Sequence, residues 1–270
     1  MAVYDINGNS LSTVYDINRT SLNQCYDIDG NELMSGGPSW KQASVITNIY
    51  TSTLTIQPQG GCIDDDGNIY VCFYHAGKFL KYNIGTGVSS EVSFTGDTYG
   101  HANGMTYNPN TGYLYLASMK ATGEVYVFDT SFNLVNTLYA RDGNGDVFTC
   151  WNIAYDRNTE RFITLVGGDS GGEIRFYDDS FTFDSAIEFD IADWQYTRQD
   201  IETDGEYVYG VGYNPNWIFA FAMDGTLVAA INNTACGGEP ESMMYDWTNG
   251  NYYLEGKDSK FVIRQVVFKD

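Results

Sequence analysis

The chain has 270 residues, a formal net charge of −21 and an isoelectric point near 4.1. Because nucleic acids and anionic membranes attract basic surfaces, this charge argues against both as partners. The sequence has no apolar run of about 18 residues, so we expect no membrane-spanning helix and no membrane insertion. The polar N-terminus also lacks a signal-peptide pattern, so no leader is predicted.

Residues 1–33 contain three copies of an 11-residue repeat, in which Tyr4, Tyr15 and Tyr26 occupy the same position. Each copy predicts a small hairpin turning at a dipeptide such as Asn7-Gly8. Such a unit buries little apolar area, so it needs neighbours or other chains to pack against. Residues 1–35 are therefore predicted to be an attachment segment that joins copies into a homo-oligomer, with a flexible leader as the alternative. The Gly-Gly-Pro stretch that follows predicts a linker over residues 36–43.

From residue 44 onward, runs with an apolar residue at every second position alternate with Asp-Gly and Asn-Gly turns, as in antiparallel strands. His101–Ala117 shows the pattern most clearly, because two such runs flank Asn-Pro-Asn-Thr-Gly. Equivalent first strands recur at 42, 48, 48 and 42 residues, which is the spacing of propeller blades. Their anchors are Ile63, Met105, Ile153, Ile201 and Met243.

The fold class predicted for residues 44–270 is all-β, a five-bladed β-propeller with four strands in each blade. The last unit ends without a fourth strand, whereas Ile49–Ile56 forms a strand pattern with no blade of its own. Pairing this N-terminal strand with the C-terminal blade would close the ring and remove an exposed sheet edge. A β-sandwich or a solenoid is the alternative.

A propeller gathers the N-terminal ends of its first strands around one mouth of a central channel, and polar residues occupy those ends here. Polar groups that converge at one end of an apolar channel are typical of a ligand site. The alternative is that they only bind loops and channel water. The predicted ligand-binding residues are His101, Asn103, Trp151, Asn152, Arg198, Gln199, Asp200 and Glu241. Trp151 and Trp194 are the aromatic residues singled out for stacking on sugar rings.

Catalytic and metal patterns are weak. No Gly-x-Ser-x-Gly motif or Ser/His/Asp arrangement is present, and no catalytic residue is assigned. A glycosidase would need two carboxylates across the channel, which Asp200, Glu202, Glu239 and Glu241 could supply. His75 with His101 would be a poor zinc site, because no further ligand motif accompanies them. No cofactor is predicted, although Asp142-Gly-Asn-Gly-Asp146 leaves calcium open beside an ordinary polar loop. The cysteines lack paired spacing and predict free buried thiols rather than a disulfide framework.

The stretch Gly100–Thr111, GHANGMTYNPNT, resembles the five-bladed propellers of teichoic-acid-biosynthesis-protein-C-like proteins and of phage receptor-binding proteins. Arg198–Ile201 and Pro240–Met243 fit other openings of that family, whereas Gly104 stands where the family usually has Asp. The resemblance implies a non-enzymatic adhesion module on a virion or cell surface that binds a cell-wall glycan or teichoic acid. The acidic charge favours a neutral polysaccharide over a phosphate-rich polymer. The alternatives are a propeller glycoside hydrolase and a self-assembling filament protein joined through the N-terminal repeats.

Overall fold

A computed structural model describes residues 39–74, 77–94, 99–120, 122–168, 171–191, 197–213 and 216–269, together with four short strands before residue 39. Those short strands form two hairpins: β1 (Val3–Tyr4) pairs with β2 (Ser10–Leu11), and β3 (Cys25–Tyr26) pairs with β4 (Glu32–Met34). The described residues are all-β apart from one 3-10 turn at Thr234–Cys236. In this described part, no helix has the length and apolar character needed to cross a membrane.

Twenty further strands form three four-stranded sheets and one eight-stranded sheet. The first sheet contains β6 (Pro58–Ile63), β7 (Asn68–Phe73), β8 (Lys78–Asn83) and β9 (Ser89–Ser93). The second contains β10 (Ala102–Asn108), β11 (Tyr113–Ser118), β12 (Glu124–Phe128) and β13 (Leu134–Tyr139). The third contains β14 (Ala154–Asp156), β15 (Arg161–Gly168), β16 (Gly171–Tyr177) and β17 (Phe183–Asp190).

The eight-stranded sheet joins the last two sequence units through one long N-terminal strand, β5 (Ser39–Thr51). Its remaining strands are β18 (Thr197–Thr203), β19 (Tyr207–Tyr213), β20 (Trp217–Ala222), β21 (Leu227–Asn232), β22 (Glu239–Asp246), β23 (Asn251–Lys257) and β24 (Phe261–Lys269). The first residues of β5 pair in parallel with β21, and residues 42–51 pair antiparallel with β24.

This use of β5 agrees with the prediction that an N-terminal strand completes the C-terminal unit, but its position differs. The strand ends at Thr51 rather than Ile56, and it begins at Ser39, inside the stretch predicted as linker 36–43. The described residues from 39 onward therefore form four sheets rather than five separate ones, and the two short hairpins before them bring the total to six. The parallel pairing with β21 explains the difference, because β5 hydrogen-bonds to two units at once.

The first strands of the five sequence units surround a common centre. Contacts run from β6 to β10, β14, β18 and β22, and β22 contacts β6 again. Aromatic and aliphatic side chains fill the space between neighbouring sheets; Phe162 and Phe219, for example, are completely buried in two such layers. This packing buries enough apolar surface to hold the sheets around the centre without helices.

The turns are built from aspartate. Asp64, Asp129 and Asp178 each accept hydrogen bonds from the backbone N–H groups two and four residues later, at 2.8–3.0 Å. A short carboxylate side chain can close a turn in this way because it replaces a missing main-chain acceptor. Acidic residues such as these, among the 35 in the chain, therefore stabilise turns rather than bind a ligand.

Candidate functional site

A β-bulge recurs at the start of four of the five first strands. The pairing register skips Gln59 in β6, Asn103 in β10, Gln199 and Asp200 in β18, and Glu241 in β22. A bulge leaves its extra residue outside the ladder and changes the direction of its side chain, which is why bulges are common beside functional sites. The bulges account for the gathering of these polar side chains at one mouth of the channel.

The predicted site residues form two layers at this mouth, which we call the amide end. The partly exposed layer contains His101, Trp151, Arg198 and Gln199, with Gln57 and Glu239 beside them. The buried layer below contains Gln59, Asn103, Asn152, Asp200 and Glu241. A ligand entering from solvent would meet the first layer and would contact the second only through it.

The carboxyl groups of Glu239 and Glu241 lie together, and three glutamine amides donate to their four oxygens. Nε2 of Gln57 donates to Oε1 of Glu241 and, at 3.3 Å, to Oε2 of Glu239. Nε2 of Gln59 donates to Oε2 of Glu241 at 3.1 Å, and Nε2 of Gln199 donates to Oε1 of Glu239 at 3.4 Å. The two glutamates therefore form one hydrogen-bonded unit, which we call the carboxyl pair.

Burial raises the pKa of Glu241 to about 9; the hydrogen bond from Gln57 opposes this rise, and the negative charge of Glu239 contributes to it. Burial also raises the pKa of Glu239, with the nearby Lys257 ammonium opposing the change. Two carboxyls in contact cannot both ionise easily, so such a pair holds a proton at neutral pH. Glu239 is the more exposed member, and Glu241 is only 1% exposed.

His101 reaches the carboxyl pair through Gln59. Its Nε2 is hydrogen-bonded to Oε1 of Gln59, whose Nε2 donates to Glu241. The imidazole also packs edge-on against Tyr74, with ring centroids 4.4 Å apart. The structure thus brings His101 and Glu241, two predicted site residues from different sheets, into one network.

Asn103 and Asn152 are placed at the amide end as predicted, but their amides already bind protein groups. Nδ2 of Asn103 donates to the backbone oxygen of Gln199 at 2.6 Å, which ties β10 to β18. Asn152 accepts from the N–H of Leu165 at 2.7 Å and donates to its oxygen at 3.2 Å. Asn152 therefore replaces a main-chain pair of the ladder just before β14 begins, and this gives it a structural role.

Trp151 and Arg198 form a separate feature of the mouth. The Arg198 guanidinium lies 5.6 Å from the centre of the Trp151 ring, within the range of a cation–π contact. Both side chains are partly exposed. Trp194, which the sequence also suggested for sugar stacking, lies outside the described residues.

Asp200 lies deeper, where the first strands approach one another closely. Both of its carboxyl oxygens are buried, and burial raises its pKa well above the usual value against opposing hydrogen bonds from Ser242 and the Ile201 backbone. A β-carbon on Gly104 would lie 2.5 Å from Oδ1 of Asp200 and 2.8 Å from the Cα of Asn152. The aspartate typical of the resembled family has no room at position 104, because this backbone contact fills the space.

The candidate metal sites receive no support from the described side chains. They contain no group of three or more His, Cys, Asp or Glu residues that could hold a metal ion. In the loop proposed for calcium, Oδ1 of Asp142 accepts the N–H groups of Asn144 and Asp146, so its carboxylate closes a turn. His75 lies outside the described residues. The four described cysteines, Cys62, Cys72, Cys150 and Cys236, are buried free thiols, as predicted.

The opposite mouth, which we call the arginine end, is occupied by Arg157 from the hairpin after β14. Its guanidinium forms an ion pair with Asp65 and lies 5.9 Å and 5.5 Å from the ring centres of Tyr107 and Trp247. Glu202 is buried on this side and accepts the N–H groups of Thr203 and Tyr245. Glu202 is thus remote from the carboxyl pair by its contacts, although the sequence grouped it with Glu239 and Glu241.

The ligand-binding residues predicted from the sequence include neither Gln57 nor Gln59. A signal for both was present, since Gln57-Pro58-Gln59 and Glu239-Pro240-Glu241 repeat one polar-Pro-polar pattern at equivalent positions of two first strands. Pro lacks an N–H and favours strand starts and bulges, so the pattern marks where the bulges fall. The glutamines of one unit face the glutamates of the other.

No family model matches the chain, and no curated protein matches it either. Among solved structures it is similar to Myxococcus xanthus glutaminyl cyclase, with a TM-score of 0.68, 13% identity and coverage of 86% of this chain and 99% of that chain. It is similar to a luciferin-regenerating enzyme (TM-score 0.55, 9% identity, 84% and 95% coverage). It is also similar to the PQQ-bound aldose sugar dehydrogenase of Streptomyces coelicolor (TM-score 0.54, 12% identity, 86% and 99% coverage).

These likenesses show a β-propeller fold, as the sequence pattern predicted. The expectation that the protein is not an enzyme is wrong on this comparison, because the similar structures include enzymes. That expectation came from the resemblance of one strand motif and a few short openings to adhesion proteins, whereas the likeness in fold to the enzymes extends over 84–86% of the chain.

Proposed function

We propose that the protein is a propeller enzyme that transfers protons at the Glu239–Glu241 carboxyl pair and cleaves a glycosidic bond. The observation that carries the proposal is the pair itself: an accessible carboxyl in contact with a buried one whose pKa is raised to about 9. A general acid must keep its proton at working pH, and burial beside a second carboxyl is the physical means of keeping it.

The proposed reaction uses both members of the pair. One carboxyl donates its proton to the glycosidic oxygen as the bond to the anomeric carbon breaks. Water then adds to that carbon and gives a proton back to the pair, so that the pair acts as one proton-transfer centre. The glutamine amides at the pair hold both carboxyls in place during the exchange. Trp151, partly exposed at the same mouth, offers an aromatic face for a sugar ring.

We also propose that the propeller has five blades. The closed circuit of first strands β6, β10, β14, β18 and β22 supports this count. In this interpretation the eight-stranded sheet consists of two blades that share β5, with β21 as the outer strand of one and β22–β24 in the other.

The expected ligand then becomes a substrate. A neutral cell-wall polysaccharide suits the net charge of −21 better than teichoic acid, because a phosphate-rich polymer would be repelled.

We propose that residues 1–35 join copies of the chain and display them on a virion or cell surface. Light scattering of the full chain beside one that starts at Ser39 tests this: open polymers lost on truncation would instead support a filament protein.

A second reaction is favoured by the closeness of the two carboxyls. Because both carboxyls accept from one amide nitrogen, the pair can also act as a single proton-transfer centre in a reaction other than glycoside hydrolysis. Displacement of an amide by a neighbouring amine, which is the chemistry of glutaminyl cyclisation, needs one group that takes a proton from the amine and gives one to departing ammonia. The likeness in fold to a glutaminyl cyclase supports this reaction as the second candidate.

The test is a substrate panel assayed for two products. Cell-wall polysaccharides and neutral aryl glycosides are assayed for new reducing ends, and peptides with N-terminal glutamine are assayed for ammonia. We expect the wild-type protein to release new reducing ends. Glu239→Gln and Glu241→Gln should each lower the rate of this release at least 100-fold. Glu188→Gln is the matched control, because Glu188 is exposed on the outer strand β17. Ammonia release alone would select the second reaction, and activity unchanged by both pair variants would overturn the proposal.

A further inference from the structure

Gln59 connects a rim histidine to a buried carboxyl, and the direction of its hydrogen bonds is fixed. Nε2 of Gln59 donates to the backbone oxygen of Pro58 at 2.8 Å and to Oε2 of Glu241 at 3.1 Å. An amide NH2 group has two hydrogens, so both are committed. The remaining atom, Oε1, can only accept, and it is the atom that contacts Nε2 of His101.

The imidazole must therefore carry a hydrogen on Nε2 in both of its ordinary charge states. Neutral His101 is held in the Nε2–H tautomer, and the imidazolium adds its second proton at Nδ1. In either state His101 Nε2–H donates a hydrogen bond to Gln59 Oε1, and Gln59 Nε2–H donates one to Glu241. Because hydrogen bonds in a chain polarise one another, charge on the imidazole strengthens the bond that the carboxyl receives.

We propose that His101 is a positioning residue for Glu241, acting through Gln59, and that its protonation controls the readiness of Glu241 to release its proton. This inference rests on the proposed function for its catalytic meaning, but the coupling itself is a property of the network. His101 is not a catalytic residue in this scheme, since the reacting groups are the two glutamates.

The surroundings make His101 the natural source of this control. Among the described residues, the titratable groups around the network are Tyr74 beside the imidazole, and Glu239, Glu255 and Lys257 near Glu241 and its partner. A histidine is the side chain that ordinarily changes charge across mildly acidic pH. Protonated His101 would favour ionised Glu241, and neutral His101 would favour the protonated acid.

Two substitutions separate hydrogen bonding from charge. His101→Gln retains an N–H donor toward Gln59 but cannot titrate, and His101→Phe removes the donor altogether. Tyr74→Phe is the matched control, because it keeps the ring packed on the imidazole without entering the chain of hydrogen bonds. Gln59→Leu breaks the connection at its centre while leaving both end groups in place.

The measurement is a carboxyl ¹³C NMR titration of the full-length protein labelled at glutamate, with the pair assigned from Glu239→Gln and Glu241→Gln. We expect the wild-type pair to show a second inflection at the pKa of the histidine. His101→Gln and Gln59→Leu should abolish it, His101→Phe should raise the apparent pKa of the pair by about half a unit or more, and Tyr74→Phe should change neither. The inference would be overturned if the carboxyl signals were unchanged in His101→Gln, His101→Phe and Gln59→Leu.

The titration and the substrate panel fail independently. A histidine-dependent carboxyl titration without turnover on any substrate would keep the coupling and reject the proposed function. If turnover requires Glu241 but the carboxyl titration does not change when His101 is substituted, the proposed function is kept and the coupling is rejected. Where turnover is found, the acidic limb of its pH profile should lose one ionisation in His101→Gln.

Discussion

The two mouths of the channel are built from different chemistry. At the amide end, uncharged amides surround two carboxyls, and one of these keeps its proton because it is buried beside the other. At the arginine end, a guanidinium is paired with Asp65 and lies between two aromatic rings. At the arginine end the opposite charges already pair with each other and offer little to a ligand. At the amide end the carboxyl pair holds a proton in contact with the accessible Glu239, so this proton is available for transfer.

Acidic composition is thus a poor guide to acid chemistry. Asp64, Asp129 and Asp178 are aspartates that close turns. At Asp129, the hydrogen bonds donated by Asn133 and by the Ser131 backbone lower the pKa of the carboxyl. Glu241 meets amide donors too, but its burial outweighs them. Environment rather than residue type therefore separates a turn carboxylate from a proton donor.

The largest expected effect comes from disturbing the close approach of β6 and β10, which lies between the two mouths. A β-carbon on Gly60 would lie 2.7 Å from the Cα of Gly104 and 2.8 Å from the nitrogen of Met105, which are backbone atoms that cannot rotate away. We expect Gly60→Ala to lower the free energy of unfolding by about 3 kcal/mol or more in urea titrations. Gly85→Ala is the control, because its nearest atom is Oδ1 of Asn83 at 3.5 Å. Equal stability of the two variants would contradict the close approach of β6 and β10.

Much of the fold follows from the pattern of the sequence. Period-two runs and the recurrence of Ile63, Met105 and Ile201 predict the strands and their order in a propeller, because strand pairing requires that alternation. The dual pairing of β5 could not be foreseen. Ser39–Ala43 follows Gly-Gly-Pro in the sequence, and only the presence of β21 alongside makes it a strand.

The site was predictable in position but not in roles. Polar residues at the strand starts indicate the mouth, yet Asn152 and Glu241 are indistinguishable in that pattern. The difference arises from tertiary contacts: Asn152 binds the backbone of Leu165, whereas Glu241 is buried against Glu239. A bulge shifts the register by one residue, so the side of the strand on which Glu241 lies cannot be read from alternation alone.

The second prediction compares the buried glutamates of the two mouths by pH. Burial raises the pKa of Glu241 to about 9 and that of Glu202 to about 8, both from an ordinary value of 4.5. The unfolded chain releases these protons near 4.5 while the folded chain retains them, so each group lowers stability as pH rises through this interval, by about 1 kcal/mol per pH unit.

Glu241→Gln and Glu202→Gln should therefore each make the fall in unfolding free energy between pH 5 and pH 8 shallower than in wild type. Glu241→Gln should keep its shallower slope to a higher pH than Glu202→Gln does, because folded Glu202 loses its proton first. Urea titrations at half-unit pH steps measure this. Wild-type slopes in both variants would show that neither carboxyl is protonated in the folded protein.

The third prediction distinguishes a structural amide of the amide end from its functional neighbours. Asn152→Ala leaves the N–H and the carbonyl of Leu165 without partners, and we expect a loss of about 2 kcal/mol in unfolding free energy. Turnover per folded molecule should change little, since Asn152 is buried below the exposed layer. Gln199→Ala is the counterpart: it should cost less stability but disturb the titration of Glu239, to which it donates. The reverse assignment would follow if Asn152→Ala stopped turnover without loss of stability.

The smallest effect is expected at the arginine end. Arg157→Met removes an ion pair with a half-exposed aspartate, which contributes little, and two aromatic contacts of about 0.5 kcal/mol each. We expect about 1 kcal/mol of lost stability and no change in the titration of the carboxyl pair. Arg161→Met is the matched control, with one ion pair to Asp184 and one ring contact, to Phe176. If Arg157→Met, but not Arg161→Met, altered turnover or the carboxyl titration, the two mouths would be coupled through the channel, and the separation between them would have to be abandoned.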